Sequence, residues 1–194
     1  ILAMATVFLA MLVLYSRLNI SIEEERQEAV SNAKEMGQYR VLGKIGEGGM
    51  GVIYKAEHKL MKRETAIKLL KPSACTEEVI GRFEKEVMLS SKLTHPNTIS
   101  IFDFGKTEEG SFYYVMELLD GLDIDELVDQ CGPLSPQRTI YMLLQVCASL
   151  NEAHLKSLIH RDIKPQNIMV CHRGAEFDVV KVLDFGLVKE LTAE

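Results

Sequence analysis

The chain has 194 residues, 47% of them hydrophobic and 26% charged, with a formal net charge of −6 at pH 7. That apolar share supports a real core and excludes wholesale disorder, while the acidic balance, with no basic run interleaved with aromatics, excludes a general footprint for nucleic acid. Cys75, Cys131, Cys147 and Cys171 are far apart with no Cys-x-x-Cys pair, which excludes zinc or redox spacing and a disulfide framework, and predicts reduced thiols in a cytosolic domain, most of them small core residues.

In chain order, Ile1 to Leu14 carries no charge and almost no polar atoms. A spanning helix needs roughly 20 apolar residues; this run is shorter, but it begins at residue 1 without an initiator Met. It reads as a partial transmembrane helix over residues 1–15, cut inside the segment, with a signal-peptide core or a buried soluble helix as alternatives. Neither the basic start nor the small-residue cleavage site of a signal peptide is visible. Arg17 beside the apolar end favours a cytoplasmic side there. Residues 16–38, with the acidic run Glu23-Glu24-Glu25 and Ala29, Val30, Ala33 and Met36 at loosely helical spacing, predict a juxtamembrane linker helix.

From Tyr39 the pattern changes to short β-rich runs: Tyr39 to Ile45, Val52 to Ala56 and Thr65 to Leu70. Residues 76–92 place Val79, Phe83, Val87 and Leu93 at helix spacing with acids at the start, where they suit the helix dipole. Two further strand-like runs follow, Thr98 to Phe104 and Phe112 to Glu117. The longest periodic segment opens with Ser135 as N-cap and Pro136 at the first helical position. It predicts a buried face of Ile140, Leu143, Leu144, Cys147, Leu150 and His154. A polar loop and two apolar runs, Ile168 to Val170 and Val179 to Leu183, complete an α+β order: an antiparallel sheet with one helix (39–117), a joint (118–121), then a mainly helical unit (122–194).

Gly46-Glu47-Gly48-Gly49-Met50-Gly51 sits between the first two strands. Glycines let a hairpin approach a polyphosphate closely, since no side chain blocks the backbone amides. A dinucleotide fold needs a helix straight after the glycines, and Val52-Ile53-Tyr54 continues as a strand; a hairpin without ligand remains the alternative. Ala66 and Lys68 lie two apart on one strand and share a face. A small residue there can lie against a flat base while the cation reaches phosphate. A lysine among apolar neighbours needs an acid partner if buried, and the next helix supplies Glu84 and Glu86; a solvated edge lysine is the alternative.

His160-Arg161-Asp162-Ile163-Lys164-Pro165-Gln166-Asn167 gathers bases, an acid and an amide in one loop, a density that normally marks a site, with a solvated charged loop as the alternative. Asp162 could accept a proton from an attacking hydroxyl, Lys164 could neutralise a transferring phosphoryl group, and Asn167 could offer oxygen to a hard cation. Asp184-Phe185-Gly186 follows an apolar strand, so Asp184 is placed as a second metal carboxylate or, alternatively, as part of an ordinary turn.

These pieces, in this order, resemble the protein-kinase signature set from about Tyr39 onward. The glycine-loop wording, with His95-Pro96-Asn97 and Ile163-Lys164-Pro165-Gln166-Asn167, looks most like the bacterial eukaryotic-like (Hanks-type) serine/threonine kinases. The resemblance implies a two-lobed kinase fold with an N-lobe over 39–117, a hinge at 118–121 and an incomplete helical lobe over 122–194. It implies ATP and Mg2+ as cofactors, with Mn2+ as a substitute, and a protein with Ser/Thr hydroxyls as substrate. Ile45 and Ile53 would close over adenine and Ala66 would line its pocket. Gly46, Gly48, Gly49 and Gly51 would form the loop over the phosphates. Lys68 would hold the α- and β-phosphates, paired with Glu86 rather than Glu84, because the distance from Glu86 to His95-Pro96-Asn97 matches the family spacing. Met116 falls at the gatekeeper position, Glu117 and Leu119 would give backbone hinge bonds, and Asp123 is the ribose candidate. Asp162 becomes the catalytic base, Lys164 the γ-phosphate contact, and Asn167 and Asp184 the metal ligands. Lys164 favours serine/threonine over tyrosine specificity, and Arg161 implies regulation by activation-loop phosphorylation.

The sequence departs from the family after Gly186: eight residues follow, with no Ala-Pro-Glu element. The expectation is a catalytic domain cut off early in its activation loop, membrane-anchored with its kinase part cytoplasmic, and inactive on proteins as a 194-residue piece. A pseudokinase scaffold is disfavoured because Lys68, Asp162 and Asp184 are all present. A small-molecule phosphotransferase of related fold is disfavoured by Arg161 and Lys164.

Overall fold

The computed structural model describes residues 35–49, 51–71, 81, 84, 87–107 and 110–185. The apolar run at 1–14, the linker up to residue 34, Glu86 and Gly186 fall outside the described residues.

Among the described residues, nine strands form two sheets. The first has six strands, β1 (Glu35–Met36), β2 (Tyr39–Glu47), β3 (Gly51–His58), β4 (Glu64–Leu70), β5 (Ile101–Lys106) and β6 (Phe112–Glu117), in the order β1-β2-β3-β4-β6-β5 with every pair antiparallel. The predicted runs at 39–45, 52–56 and 65–70 lie within β2, β3 and β4. Glu35 and Met36 are not helical, as the linker reading had them. Gly37, at φ +57°, turns the chain back so that Met36 pairs with Tyr39, and the Met36 side chain is buried. Residues 98–100 also leave their predicted strand: Thr98 makes an isolated parallel bridge to Val182, and the Ile99 amide donates to the Val182 carbonyl at 3.0 Å. Residues 87–90 are helical, with Val87 fully buried under the sheet.

The second unit contains β7 (Gly121–Asp123), β8 (Ile168–Arg173) and β9 (Glu176–Val182), ordered β7-β8-β9, with α1 (Ile124–Cys131) and α2 (Pro136–Leu155). Helix α2 begins as predicted, with the Ser135 hydroxyl accepting from the Arg138 amide at 3.3 Å and Pro136 at the first position. Its buried face is a different one: Met142, Val146, Ser149 and Ala153 face the core, while Ile140, Leu143, Leu144, Cys147 and His154 are exposed and Leu150 is half-buried. The reason is packing against β9, where the small Ser149 and Ala153 allow close approach. Thr98 and Ser149 share a hydrogen bond of 2.7 Å there, and Gln145 accepts from the Val180 amide. Apolar volume alone selected the wrong stripe. The expectation of core cysteines fails similarly: Cys171 is buried, but Cys131 and Cys147 are exposed.

Three apolar clusters follow from this arrangement. One lies on the face of β1–β4 and β6 that carries Met36, Val41, Ile67 and Val115. One lies inside the second unit around Met142, Ile168, Val182 and Phe185. The third, Ala66, Leu70, Val87, Ile99, Phe112, Tyr114 and Met116 with Ile53, Leu118, Leu119 and Leu183 against it, joins the sheet to the joint at 118–120 and to the end of β9.

Candidate active site

Register across the first sheet brings distant sequence positions side by side. Ile53 pairs with Lys68 and Lys68 with Tyr114, while the neighbouring row pairs Ala66 with Met116. Directly opposed residues of antiparallel strands share a face, so Ile53, Ala66, Lys68, Tyr114 and Met116 form one wall. Ala66 and Met116 are buried, and Leu119 packs on the same cluster. Ile45 stands apart from this wall: a register shift between Lys44 and Gly46 lifts it out of the ladder, and it is 52% exposed at the rim.

The glycine hairpin caps this wall. Gly51 is required by packing, because a Cβ there would collide with the Leu69 carbonyl. A Cβ at Gly48 or Gly49 would meet nothing within 4 Å. The chain's own packing therefore accounts for Gly51 and leaves open room beside Gly48 and Gly49. Glu47 ties Lys44 (2.5 Å) and Lys71 (2.9 Å) at the base of the hairpin, and hydrogen bonds to both lysines lower its pKa to about 2.

The opposite wall is polar. Lys68 Nζ donates to Asp184 Oδ2 at 2.5 Å and the Tyr114 hydroxyl donates to Asp184 Oδ1 at 2.7 Å. Burial raises the Asp184 carboxyl, but the Lys68 charge and these two hydrogen bonds outweigh it and hold the group below the usual carboxylate range. Asp184 sits at φ +49°, in the left-handed region that Asp tolerates better than most residues. Asp162 Oδ2 accepts from Lys164 Nζ at 2.8 Å and from Asn167 Nδ2 at 3.1 Å, and Asn167 Nδ2 also donates to the Asp162 carbonyl at 2.7 Å. That commits the amide nitrogen to Asp162 and makes Oδ1 the acceptor end of Asn167. The Leu183 amide donates to the Asn167 carbonyl at 2.9 Å, which locks the loop to the strand end bearing Asp184.

Three positions carry more than the sequence reading assigned. His160, 2% exposed, takes the Asp162 amide on Nδ1 (3.3 Å), so Nε2 carries the proton given to the Leu183 carbonyl at 2.7 Å; its ring packs 4.7 Å from Phe185. Burial lowers the His160 pKa, in keeping with a neutral ring. Lys181, also 2% exposed, donates to Glu117 Oε1 at 2.5 Å and to the Thr98 carbonyl at 3.2 Å, while Glu117 Oε1 accepts from the Ser100 amide at 2.8 Å. The sequence signal was a lone cation within the apolar run Val179 to Leu183. Asp123 caps α1, accepting from the Glu126 amide at 2.8 Å while Glu126 Oε2 accepts from the Asp123 amide at 3.2 Å; the Asp-x-x-Glu spacing is a capping box. Of the two acids considered for Lys68, Glu84 lies 3.8 Å from Lys106.

Asn167 Oδ1 and the ionised Asp184 carboxylate are hard oxygen donors, the chemistry a divalent cation takes. Among the described residues no group of three or more His, Cys, Asp or Glu could hold a metal by itself. A pair of oxygen ligands suits Mg2+, which takes one or two protein groups and completes its shell with water and substrate phosphate.

Residues 39–194 match the family model described as the protein kinase domain. The chain is 40% identical over 153 residues to the serine/threonine-protein kinase pkn3 of Myxococcus xanthus, covering 78% of this chain and 28% of that protein. It is 39% identical over 158 residues to the serine/threonine-protein kinase PrkC of Bacillus subtilis, covering 81% and 24%. The chain thus spans about a quarter of the length of these relatives. The crystal structure of the Mycobacterium tuberculosis PknI kinase domain aligns with a TM-score of 0.69 at 26% identity, covering 81% of this chain and 62% of that one. Because that model covers residues 39–194, well over half of the sequence, this chain belongs to the protein kinase domain family.

Proposed function

We propose that this chain is the nucleotide-binding part of a bacterial serine/threonine protein kinase that transfers the γ-phosphoryl of ATP to protein hydroxyls. The observation that carries the reading is the contact between the Lys68–Asp184 pair and the Asp162–Lys164–Asn167 loop through the Asn167 carbonyl and the Leu183 amide. Phosphoryl transfer asks a protein mainly for positioning and charge neutralisation.

Each residue then has a task. Ile45, Ile53, Ala66, Met116 and Leu119 enclose the adenine, and the backbone of Glu117 and Leu119 hydrogen-bonds its edge. Gly46, Gly48, Gly49 and Gly51 cover the phosphates, Lys68 with Glu86 orients them, and the carboxylate oxygen of Asp123 that the helix cap leaves free faces the ribose. Asn167 and Asp184 hold Mg2+ or Mn2+, which supplies charge neutralisation at the phosphates when bound. Asp162 takes the hydroxyl proton of the protein substrate, and Lys164 steadies both the Asp162 carboxylate and the transferring group. Arg161 is the site through which a phosphorylated activation loop acts.

The whole protein is placed at the cell membrane with this domain on the cytoplasmic side. The support is the uncharged run Ile1 to Leu14 followed by Arg17; among the described residues no helix is long and apolar enough to cross a membrane. The 194 residues alone are proposed to be poorly stable, with the apolar row Ile140, Leu143 and Leu144 on α2 left exposed, and for that reason inactive on proteins.

A radiolabelled-ATP assay on the full-length protein, with Asp162→Asn as the control, tests the catalytic reading. Transfer to serine or threonine should be present in the wild type and lost in the variant. Equal labelling by both, or none by either, would overturn it.

A further inference from the structure

We infer that Tyr114 is a positioning residue for Asp184, and that its hydroxyl sets how tightly the site holds a divalent cation. The inference rests on the proposed role of Asp184 as a metal ligand. Tyr114 is 1% exposed in the cluster with Phe112, Met116 and Leu183, and its pairing with Lys68 aims both side chains at the same carboxylate. A phenylalanine would fill that apolar space equally well. What the hydroxyl adds is the 2.7 Å hydrogen bond to Asp184 Oδ1, opposite the one from Lys68 to Oδ2.

A carboxylate offers about four lone-pair sites, so one donor on each oxygen fixes its rotation and leaves acceptor capacity for a cation. Asp184 needs such fixing, because its backbone stands at φ +49° at the end of a strand and its side chain remains 30% exposed. Hydrogen bonds to ligating carboxylates commonly change metal affinity by about 10- to 100-fold when removed.

The test titrates Mg2+ against the full-length protein at a fixed concentration of a fluorescent ADP analogue, following analogue binding rather than turnover. Tyr114→Phe should raise the Mg2+ concentration needed for half-maximal binding by about tenfold, with analogue affinity in EDTA unchanged. Tyr114→Met, a second residue without a hydroxyl, should do the same, which separates loss of the hydrogen bond from a packing fault. Tyr114→Phe added to Asp184→Asn should produce no further shift. Wild-type Mg2+ dependence in Tyr114→Phe, a shift in only one of the two hydroxyl-free variants, or equal weakening in EDTA would overturn the inference. If Asp184→Asn leaves the Mg2+ dependence unchanged, the metal-ligand reading of Asp184 fails as well; a shift there without one in Tyr114→Phe sinks only the role of Tyr114.

Discussion

The two walls of the site are built by different physics. The sheet wall, Ile53, Ala66, Lys68 and Met116, is set by register: each residue faces the site because of its place in a ladder whose period is two. The loop wall, His160, Asp162, Asn167 and Asp184, has no period at all: residues 160–167 and 183 are held by hydrogen bonds among side chains and backbone, and Asp184 by those from Lys68 and Tyr114. A change in the first wall alters shape, and a change in the second breaks a network. The sheet wall should therefore govern nucleotide affinity and the loop wall turnover.

That division is sharpest at Asn167, which donates twice to Asp162 and is proposed above as a metal ligand. Asn167→Ala is expected to lower kcat of the full-length kinase by about 10³-fold, some 4 kcal/mol of barrier, while the thermal midpoint moves little. Met116→Ala should instead raise the KM for ATP and spare kcat. Steady-state kinetics on both variants decides it: a kcat loss in Met116→Ala matching that of Asn167→Ala would erase the distinction.

Next in size is the joint between the walls. Lys181 and Glu117 form a buried ion pair, with Arg173 Nη2 a further 3.4 Å from Glu117 Oε2. Removing one partner of a buried pair strands the other, at a cost near 3 kcal/mol or above. Lys181→Met should lower stability by about 3 kcal/mol, and Lys181→Met with Glu117→Leu should recover most of it. Denaturant titration of the two chains measures this. A fully stable single variant would show the pair to be incidental.

Much of the sheet wall was legible in sequence because its signals are local. Val52 to Ala56 and Thr65 to Leu70 are short runs rich in β-branched and apolar residues, and Ser135-Pro136 announces a helix start within two residues. Motif order is what singled out Asp162, Lys164, Asn167 and Asp184, and their roles remain the proposal made above. What the sequence concealed depends on partners far along the chain. Lys181 gave no hint that Glu117, 64 residues earlier, would neutralise it. The buried stripe of α2 was misjudged because Ser149 and Ala153 win their places by fitting close to β9, while the larger Ile140 and Leu144 remain outside. The pairing of Tyr114 with Asp184, 70 residues on, is of the same kind.

The glycine hairpin offers a smaller test within the sheet wall. Gly51→Ala should destabilise the fold by about 1 to 3 kcal/mol, as overpacking does, because its Cβ meets the Leu69 carbonyl. Gly48→Ala meets no described atom and should leave stability unchanged while weakening ATP binding. Comparing melting midpoints with nucleotide titrations separates the two, and an equal loss of stability at both positions would mean that packing alone explains the glycines.

The smallest expected effect concerns His160 in the loop wall, and its sign follows from proton linkage. Burial lowers the folded-state pKa below the usual histidine value near 6.5. Between the folded and unfolded pKa values the unfolded chain binds more protons, so stability rises with pH through that window. The contribution is complete above about pH 6.5 and is lost as pH falls through the lower, folded-state value. Replacing His160 by Asn removes the titrating ring, so the stability difference between wild type and His160→Asn should shrink as pH drops from 7 toward 5. A difference constant across that range would mean that His160 does not titrate there, and that its contacts with Leu183, Asp162 and Phe185 matter only as packing.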